Sequence, residues 1–584
     1  MLNYKPIPYG VSNYKRIVTE NYYYVDKTDN ISKLEETGKF LFLIRPRRFG
    51  KSSLLTVLEC YYDLARANEF DTLFKGTYIH DQPTSEKNSY LILKFNFSHV
   101  DSDTDKVEES FHSHVSTVFY FFWKSYRDIL GEEFFKLLEL QKNAHQKLEF
   151  TLRYVGSIGH NVYVLIDEYD NFTNSILSTS GQSAYHEVTQ GAGFLRFFFN
   201  LLKGAVDQVD SGVGRMFITG VSPVTMDDVT SGFNIGQSIS LHPTFNELLG
   251  FTEQDVRELL VYYQTNANLV IADIEQDLAL LKEWCGNYCF YRPHDSSAQT
   301  QVTMFNTDMI LYLVQKRLQF GRYPDHLIDQ NVRVDYGKLR HLIVIDRRLN
   351  GNFSYLSKII EQQQTDLEQV VDSFPVERLT KPSNFVSLLY YFGLLSYTAQ
   401  GRLGIPNQTV KQLMYSYLRE GYEDIDVFNV DLIAFTGLMR RLAYQGDWQP
   451  VFQFLADEVE KQTAIRDYLT GEKVIQTFLL AYLNLTDYYT TRTEEEFGKG
   501  FVDLYLEPFW TKYKDLPYSY LIELKYIPRH AFTTTLLTEK LTEAETQLKQ
   551  YAHNPVILKR QQSAKLICVA LVFSGWELKG LKQV

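Results

Sequence analysis

The segment RPRRFGKS, residues 45–52, constrains the fold more than any other feature of the sequence. It follows the apolar run Phe40–Ile44 and precedes SLLTVLECYYDL, whose leucines recur on one helical face. A strand, a loop ending in Gly-Lys-Ser and a helix form the context of the phosphate-binding pattern G-x-x-x-x-G-K-[ST]. The sequence therefore predicts an N-terminal α/β domain with a mostly parallel sheet.

Arg45 stands where this pattern has its first glycine. That glycine mainly eases the exit from the strand, whereas Gly50 lets the backbone approach a phosphate, Lys51 reaches the β- and γ-phosphates and Ser52 binds Mg²⁺. Arg47 and Arg48 either help to neutralise phosphate or are simply solvated. The predicted cofactor-binding residues are Arg47, Arg48, Phe49, Gly50, Lys51, Ser52 and Ser53.

A second apolar run, Val162–Ile166, ends in Asp167-Glu168. Asp167 is expected to hold the Mg²⁺ shell, and Glu168 to polarise an attacking water. A buried strand with a solvated acidic end would give the same pattern, but the two patterns together favour an ATPase. Thr219 and Ser222, in and after MFITG, stand where a γ-phosphate sensor can lie, although a plain strand-end turn explains them equally well.

Composition restricts the function classes. The net charge of −12 argues against coating of nucleic acid through the mean field of the protein, but it leaves room for a local basic groove. The start MLNYKPIPYGVSNYKR lacks an apolar signal region, and no apolar run reaches the roughly 18 residues of a membrane helix. With four cysteines we expect a reduced, cytoplasmic protein without a membrane partner. Cys285, Cys289 and His294 lack a clear fourth metal ligand, so buried thiols are the favoured interpretation.

The patterning divides the chain into three predicted regions: 1–265, 266–425 and 426–584. Expected strands of the first region are 40–44, 90–97, 162–166 and 216–219. The middle region is expected to be helical, and a helix, hairpin and helix near 380–420 suggest a winged-helix-like module. The last region is expected to be a small α/β unit with strands at 500–506, 518–525 and 566–573 and a helix at 537–551.

The last region carries a second group of candidate site residues. Asp503 lies inside GKGFVDLYLEP, and Glu523 and Lys525 lie on one face of YSYLIELKYIP because side chains alternate along a strand. If the two strands pair, two carboxylates and an ammonium converge on one point, a hard oxygen site suited to Mg²⁺ or Mn²⁺. Such a metal activates water for attack on a phosphodiester. Charged residues at solvated strand ends are the simpler alternative.

Two family resemblances follow from these motifs. The N-terminal half resembles the AAA-ATPase-like proteins, relatives of the archaeal-type ATPases, in IPYGVSNYKRIVTENYYYVDKT, RPRRFGKS, LIDEYDNF, ITGVSP and WCGNYCF. That resemblance implies that Arg45 is a lineage trait, because the family commonly has arginine there, and Asn287 replaces a family glycine. The C-terminal region resembles the D-x(n)-E-x-K pattern of the PD-(D/E)XK nucleases. This second resemblance implies a further metal-site carboxylate at Glu472, on the preceding helix, and a catalytic-site residue at Gln547, on the following one.

Together these patterns predict an ATP-dependent nuclease that uses ATP and Mg²⁺, with Mn²⁺ possible at the nuclease site. The expected catalytic residues are Glu168, Asp503, Glu523, Lys525 and Gln547, and the expected metal ligands are Ser52, Asp167, Glu472, Asp503 and Glu523. DNA is favoured over RNA as the substrate, a homo-oligomer is possible, and a defence or mobile-element role would suit a gated nuclease. The alternatives are a nucleotide-driven switch or scaffold that binds without cutting, and an ATPase that acts on proteins.

Overall fold

A computed structural model describes residues 4–206, 211–229, 236–267, 269–293, 301–324, 327–329, 344–345, 348–349, 351–365, 367, 369–424, 426–493, 495–496 and 501–584. The chain forms two compact units. The first consists of Met1–Lys338 with Thr365–Val410, and the second of Leu339–Gln364 with Lys411–Val584. The predicted division at 265 and 425 does not coincide with these units, since parts of the middle region belong to each.

A parallel sheet is the centre of the first unit. Its strands are β1 (Phe40–Ile44), β2 (Leu91–Asn96), β3 (Val162–Asp167), β4 (Val213–Gly220) and β5 (Gln237–Ser238). They lie in the order β2-β3-β4-β1-β5, and all neighbouring pairs are parallel. The predicted parallel sheet is therefore confirmed, and β5 adds a short edge strand that lacks an apolar run. Because the strands are parallel, the ends of β1, β3 and β4 meet at one edge of the sheet.

Helices pack around this sheet, and one of them directly follows the phosphate-binding pattern. The first helices are α1 (Tyr14–Thr19), α2 (Asn30–Thr37), α3 (Lys51–Tyr62), α4 (Phe70–Phe74), α5 (Tyr78–Asp81), α6 (Val107–Ser125), α7 (Arg127–Glu139), α8 (Ala144–Ser157), α9 (Asn171–Thr189) and α10 (Phe194–Val206). They are followed by α11 (Val224–Val229), α12 (Glu253–Asn266), α13 (Ile274–Cys285) and α14 (Thr307–Phe320). The expected apolar face of α3 is buried, at Leu54, Leu55, Leu58 and Tyr62.

The middle region is mainly helical, as expected. Its described elements are β6 (Val344–Ile345), β7 (Arg348–Leu349), α15 (Gly351–Gln362), β8 (Gln364–Thr365), α16 (Pro382–Tyr391), β9 (Ser396–Tyr397), β10 (Leu403–Gly404) and α17 (Gln408–Asp424). The strands β9 and β10 pair antiparallel around a turn at Gly401, whose φ is 71°. The predicted order of helix, hairpin and helix is thus present, while the winged-helix relationship stays a prediction.

A second, mixed sheet organises the C-terminal part. Its elements are α18 (Leu432–Gln445), α19 (Gln449–Lys461), α20 (Glu472–Leu483), β11 (Tyr489–Arg492), β12 (Glu495–Glu496), β13 (Phe501–Val502), β14 (Leu504–Pro508), β15 (Tyr518–Ile527), α21 (Thr534–Tyr551), α22 (Pro555–Gln561), β16 (Lys565–Ser574) and β17 (Glu577–Gln583). The sheet order is β11-β14-β15-β16-β17, with β15 and β16 parallel and the other pairs antiparallel. Gly500, the start of one predicted strand, lies outside the described residues.

Helix α21 covers one face of this sheet. Ala544, Leu548 and Tyr551 of the helix pack with Leu521 of β15 and Ala570 of β16 in one buried cluster. This packing places the helix over the same strand face that carries Glu523 and Lys525. In the part of the chain that the structure describes, no helix is long and apolar enough to cross a membrane.

Candidate active sites

The phosphate-binding pattern forms a tight loop between β1 and α3. Two residues of this loop have left-handed backbone, Arg48 with φ 71° and Gly50 with φ 100°. Gly50 precedes the first residue of α3, so the helix N-terminus, with its unpaired N–H groups, opens directly on the loop. No neighbouring atom lies within 4 Å of the position that a Cβ on Gly50 would take. The glycine is therefore required by its backbone conformation and leaves open space beside it.

Lys51 lies within the curve of the loop. Its Nζ donates to the carbonyls of Arg45 and Pro46 at 3.0 and 2.9 Å, and the residue is buried. Burial lowers the pKa of Lys51 to about 8, against the opposing effect of Glu168 and Asp167. The ammonium is thus positioned among loop carbonyls, at the concave side where a phosphate would enter.

The end of β3 brings two carboxylates to this ammonium. Asp167 is 2% exposed, and the Ser52 hydroxyl lies close enough to stabilise its charged form. Burial raises the pKa of Asp167, while Ser52 and Lys51 act in the opposite direction. Its Oδ1 is buried without a hydrogen-bond partner. The Ser52 hydroxyl and the Asp167 carboxylate, with its unsatisfied Oδ1, are a donor set that fits Mg²⁺.

Glu168 follows in a left-handed conformation, with φ 50°. Its Oε2 accepts a hydrogen bond from Asn171 Nδ2 at 2.5 Å, so the carboxylate is held by the first turn of α9. Glu168 lines a cavity of about 300 Å³ together with Arg47, Lys51 and Ser52. The structure therefore brings Glu168 to the same space as the loop residues.

The start of α14 forms hydrogen bonds with Arg48 and Phe49 of the loop. Arg48 Nη1 donates to Asp308 Oδ2 at 3.0 Å, and the Asp308 backbone N–H donates to the Arg48 carbonyl at 3.2 Å. Thr307 Oγ1 also donates to the Phe49 carbonyl, at 3.3 Å. The Phe49 ring is buried edge-on against Tyr288 and Phe290. Phe49 thus contributes packing and backbone, and Arg48 shares the cavity wall with its carboxylate partner.

Arg45 is one of the most deeply buried large side chains of the protein, at 1% exposure. Its guanidinium donates to the Phe245 carbonyl at 3.0 Å and to the Ser240 carbonyl, and it lies over the Phe290 ring at 4.3 Å. Burial lowers the pKa of Arg45 to about 10. The residue at the first-glycine position therefore ties the exit of β1 to the chain after β5 and to the WCGNYCF segment.

We expect Arg45→Gly to lower the free energy of unfolding by about 2–4 kcal/mol, because buried carbonyls lose their donor and a cavity remains. Arg47→Gly, the same change at a half-buried loop position, is the matched control and should cost less. Thermal and urea unfolding of the three proteins measure the difference. Equal stability of Arg45→Gly and the parent would show that Arg45 is a passenger.

The possible γ-phosphate sensors have other contacts. Thr219 Oγ1 donates to the Leu43 carbonyl at 2.8 Å, and Ser222 Oγ accepts from the Val224 N–H at 3.3 Å. Buried Asp170 accepts from the backbone N–H groups of Val221 and Ser222, and so joins the ends of β3 and β4. These contacts favour the strand-end interpretation.

The cysteines of the partial metal set are buried. Cys289 Sγ donates to the Tyr291 carbonyl at 3.2 Å, and burial raises the pKa of both Cys285 and Cys289. A raised pKa disfavours the thiolate that a metal needs. His294, the third member of the set, lies outside the described residues. The two cysteines thus fit the interpretation as buried thiols.

In the second unit, Asp503 lies at the break between β13 and β14, opposite Glu523. Leu504 pairs with Ile522, so the antiparallel register brings Asp503 beside Glu523. Asp503 Oδ2 accepts the Leu524 backbone N–H at 2.8 Å, and Lys525 Nζ donates to Glu523 Oε1 at 2.8 Å. The structure thus brings the two carboxylates and the ammonium together, as the alternation of β15 predicts.

Helix α20 supplies two further side chains. Glu472, its first residue, lies close enough to Asp503 and to the Tyr526 backbone N–H for both to affect its pKa. One turn later, Gln476 Nε2 donates to the Asp503 carbonyl. Glu472 therefore lies near the site, and Gln476 fixes the backbone of Asp503.

Helix α21 closes the opposite side with residues spaced four apart. Glu543 lies 3.6 Å from Lys525 Nζ, and the Tyr551 hydroxyl lies within the field of Glu523 and Asp503. Gln547 lies one turn from Glu543 and one turn from Tyr551, on the same helical face. Its Oε1 is buried without a hydrogen-bond partner, so its amide is available to the site.

The carboxylates of this site have raised pKa values, because their charged forms are unfavourable in the buried environment. Burial and the charge of Asp503 raise the pKa of Glu523 to about 7, and burial raises the pKa of Asp503 and Glu472. Burial alone would lower the pKa of Lys525, but the hydrogen bond that it donates to Glu523 and the charges of the carboxylates raise it instead. Buried carboxylates beside each other are costly unless a cation compensates them.

The carboxylates of the second site suit a metal ion that retains several water ligands. Among the described residues, no group of three or more His, Cys, Asp or Glu side chains is arranged as a ready metal centre. Mg²⁺, however, is usually bound through one or two carboxylates together with substrate phosphates. Asp503 and Glu523, whose Oε2 is buried without a partner, meet that requirement. The residues present therefore fit Mg²⁺ or Mn²⁺, with Glu472 as a nearby third carboxylate.

We expect Glu523→Gln to stabilise the metal-free protein at pH 8 by about 2–3 kcal/mol and to have little effect near pH 4.5. The fold raises the pKa of Glu523 from 4.5 to about 7. The folded state therefore binds the proton more tightly than the unfolded state, and stability falls as pH rises through this window. Urea unfolding in chelator at pH 4.5 and pH 8 measures the effect, with exposed Glu539→Gln as the control. A gain that does not change with pH would contradict the assignment.

Sequence patterns missed several residues that the structure places at these sites. They are Asp170 and Asp308 in the first unit and Gln476, Glu543 and Tyr551 in the second. Asp170 is part of LIDEYDNF, and the spacing of Glu543, Gln547 and Tyr551 by four is visible in the sequence. No sequence signal marks Asp308, because its partner Arg48 is 260 residues away.

Comparisons with known proteins agree with this geometry. Residues 8–230 match the family described as predicted AAA-ATPase, and residues 470–582 match the PD-(D/E)XK nuclease superfamily. The chain is also 28% identical over 260 residues to an uncharacterized protein in the vnfD 5′ region of Azotobacter chroococcum mcd 1. That similarity covers 43% of this chain and 44% of the relative, so less than half of either protein is compared. Two separate parts of the chain thus match two families, the predicted AAA-ATPase family in the N-terminal part and the PD-(D/E)XK nuclease superfamily in the C-terminal part.

Proposed function

We propose that this protein is an ATP-dependent, metal-dependent nuclease that cuts DNA in preference to RNA. The observation that carries the proposal is the cluster of Asp503, Glu523 and Lys525, in which one carboxylate oxygen of Glu523 is buried without a partner. Such an arrangement destabilises the fold when no metal ion is bound, in spite of Lys525. Its presence is therefore better explained by catalysis than by packing. The family matches support both activities at the level of the family.

In the first unit, the loop and the end of β3 have complementary roles. The backbone N–H groups of the loop and Lys51 bind the phosphates of ATP, and Ser52 and Asp167 hold Mg²⁺. Glu168 accepts a proton from the attacking water, and Asn171 orients its carboxylate. Arg47 and Arg48 add positive charge to the cavity wall.

In the second unit, Asp503 and Glu523 hold a divalent metal, with Glu472 as the further carboxylate. When bound there, such a metal would supply activation of water and stabilisation of the charge on the phosphodiester. Leu524 fixes one oxygen of Asp503 through its N–H, which leaves the other for the metal. Lys525, held by Glu523, orients the water or stabilises the transition state, and Gln547 presents its amide to the site.

The remaining parts of the proposal are the location, the oligomeric state, the trigger and the biological role. Four free cysteines, three of them buried, suit a cytoplasmic location. The active form is a monomer or a homo-oligomer, and the trigger for cutting is the binding or hydrolysis of ATP. A role in defence or in mobile elements follows from the need to restrain an enzyme that cuts DNA.

Cleavage assays test this function. The full chain is incubated with plasmid, single-stranded DNA and RNA in Mg²⁺ or Mn²⁺, with and without ATP. We expect cutting of DNA that requires the metal and increases with ATP. If none of the substrates is cut under any of these conditions, the nuclease assignment is wrong.

A second function is a nucleotide-driven scaffold that binds nucleic acid or protein without cutting it. The Arg48–Asp308 contact favours a switch, because a phosphate in the cavity would compete with Asp308 for the arginine. Titration calorimetry with Mn²⁺ distinguishes the two functions. A site that disappears in Asp503→Ala supports the nuclease, whereas the absence of such a site favours the scaffold.

A further inference from the structure

Planar and positively charged side chains meet at one end of the second sheet. The guanidinium carbons of Arg466 and Arg529 lie 4.0 and 5.0 Å from the centroid of the Trp576 ring. Trp576 is half-buried, and 59% of the Arg529 side chain is exposed. These three side chains, the Trp576 cluster, therefore form a planar group that a ligand in solution can reach.

A tight turn holds Trp576 at this end of the sheet. Gly575 and Trp576 are the two residues between β16 and β17, and the φ of Gly575 is 59°. The Gly575 N–H donates to the Ile527 carbonyl at 3.1 Å, at the end of β15. A Cβ on Gly575 would lie 2.4 Å from Arg529 Cγ, so glycine is required by its backbone conformation and by this close approach. The turn therefore fixes Trp576 and Arg529 relative to β15.

The surroundings of the cluster are positively charged. Arg466 donates to the backbone carbonyls of 459–460, which are neutral acceptors and leave its charge uncancelled. Arg529 and Lys579 both pair with Glu577, so these two cations share one carboxylate. The protein as a whole has a net charge of −12. A local excess of positive charge on such a chain is suited to bind the phosphates of a nucleic acid.

The arginines of the cluster retain donors for a phosphate. A guanidinium has five N–H groups in one plane, and stacking on an aromatic ring holds it by its face. The hydrogen bonds within the protein use Nε and Nη2 of Arg466 and Nη2 of Arg529. The other N–H groups are available to phosphate oxygens, and bases stack on the faces of guanidinium and indole groups. The cluster therefore fits both the phosphate and the base of a nucleotide.

The segments that form the cluster also lead to the proposed metal site. Arg529 follows Lys525 by four residues, which is no more than about 13 Å of extended chain. Arg466 precedes Glu472 by six residues, and Trp576 follows β16, which pairs in parallel with β15. A DNA strand bound at the cluster would therefore lie within a few nucleotides of the metal site.

The planar faces of the cluster distinguish an unpaired strand from a duplex. In a duplex the faces of the bases are stacked on one another, so the protein reaches only phosphates and the edges of the bases in the grooves. An unpaired base can turn its face to an aromatic or guanidinium group, and this stacking tolerates any sequence. A single strand can therefore use both the charge and the planar faces of the cluster, whereas a duplex can use only the charge.

We propose that the Trp576 cluster binds an unpaired segment of DNA beside the metal site, so that the preferred substrate is single-stranded DNA or a duplex with a single-stranded tail. The inference rests on the proposed nuclease site. It goes beyond that site by assigning the strandedness of the substrate and the residues that recognise it.

Fluorescence anisotropy with the full chain tests this proposal. The probes are a single-stranded DNA, a blunt duplex of the same sequence and a duplex with a single-stranded tail. All proteins carry Asp503→Asn, which prevents cutting in Mg²⁺. With this change alone, the protein should bind the single strand and the tailed duplex at least about fivefold more tightly than the blunt duplex. Addition of Trp576→Ala should weaken single-strand binding about 5- to 150-fold, the effect of one stacked base, and leave blunt-duplex binding within about twofold.

The salt dependence of single-strand binding tests the arginines. Arg529→Gln should reduce the slope of log affinity against log salt by about 0.7, the value for one phosphate contact on a single strand. Arg127→Gln is the matched control, because Arg127 lies 5.7 Å from the Trp123 ring centroid and pairs with Glu132. Its side chain is 62% exposed, close to the 59% of Arg529. This control should leave the slope unchanged.

Three results would overturn the proposal: equal affinity for the single strand and the blunt duplex, unchanged single-strand binding by folded Trp576→Ala, or equal slopes for Arg529→Gln and Arg127→Gln. Photocrosslinking needs no variant at the cluster. A single strand that contains 5-iodouracil should label residues 574–579, and labelling only elsewhere would also refute the proposal.

Failure of this inference and failure of the nuclease assignment give different results. A protein that cuts DNA through Asp503 but shows none of these binding effects is a nuclease without this subsite. A protein whose single-strand binding depends on Trp576 but which cuts no substrate has the subsite and is not a nuclease.

Discussion

Replacement of Asp503 by asparagine is expected to reduce metal-dependent DNA cleavage by about 10³-fold or more, because loss of a metal ligand removes several kcal/mol of transition-state stabilisation. Asparagine keeps an oxygen that accepts the Leu524 N–H, a contact of 2.8 Å in the parent. The fold should therefore survive, and the loss should come from weakened metal binding. Initial cleavage rates over a range of Mg²⁺ concentrations measure both effects.

Asp515→Asn is the matched control for this variant. Asp515 is exposed in the segment between β14 and β15 of the same unit. It should cleave as the parent does, and both variants should retain the ATPase activity of the parent. Equal cleavage by Asp503→Asn and the parent would show that the carboxylates on β14 and β15 do not form the catalytic centre.

Lys51→Ala is expected to weaken ATP binding about 10- to 150-fold, because a hydrogen bond to a charged group contributes about 1.5–3 kcal/mol. Its ammonium is buried among the carbonyls of Arg45 and Pro46, so alanine also leaves two loop acceptors without their donor. ATP hydrolysis should fall further than binding, since Lys51 also stabilises charge that develops on the γ-phosphate. Calorimetry and phosphate release measure the two losses separately.

Lys75→Ala controls for the loss of one positive charge at an exposed position of the same unit. It should bind and hydrolyse ATP as the parent does. An unchanged ATP affinity in Lys51→Ala would contradict the assignment of the loop as the nucleotide site.

The local elements could be predicted from the sequence, because apolar periodicity and loop chemistry act over short distances. The strand Phe40–Ile44 coincides with the first apolar run, and β3 ends at buried Asp167, directly after the second apolar run. Alternation placed Glu523 and Lys525 on one face of β15, and the observed pairing of β14 with β15 brings Asp503 to them. Short β5, without an apolar run, gave no such signal.

Contacts between distant segments could not be predicted. The burial of Arg45 depends on Ser240, Phe245 and Phe290, about 200 residues further along the chain, and its role appears only when these meet. The sequence left the effect of Arg45 at the first-glycine position open, and in the fold Arg45 is a packing residue. Likewise, the two compact units cut across the predicted middle region, because compactness depends on long-range packing.

The rate of DNA cleavage with and without ATP tests most directly the claim that one chain couples two sites. The parent should cut about 5- to 150-fold faster with ATP, the range of a coupling free energy of about 1–3 kcal/mol. Lys51→Ala should show no acceleration by ATP at concentrations that saturate the parent. If the parent and Lys51→Ala cut at the same rate at every ATP concentration, the first unit does not control the second and the proposed ATP-dependent nuclease is wrong.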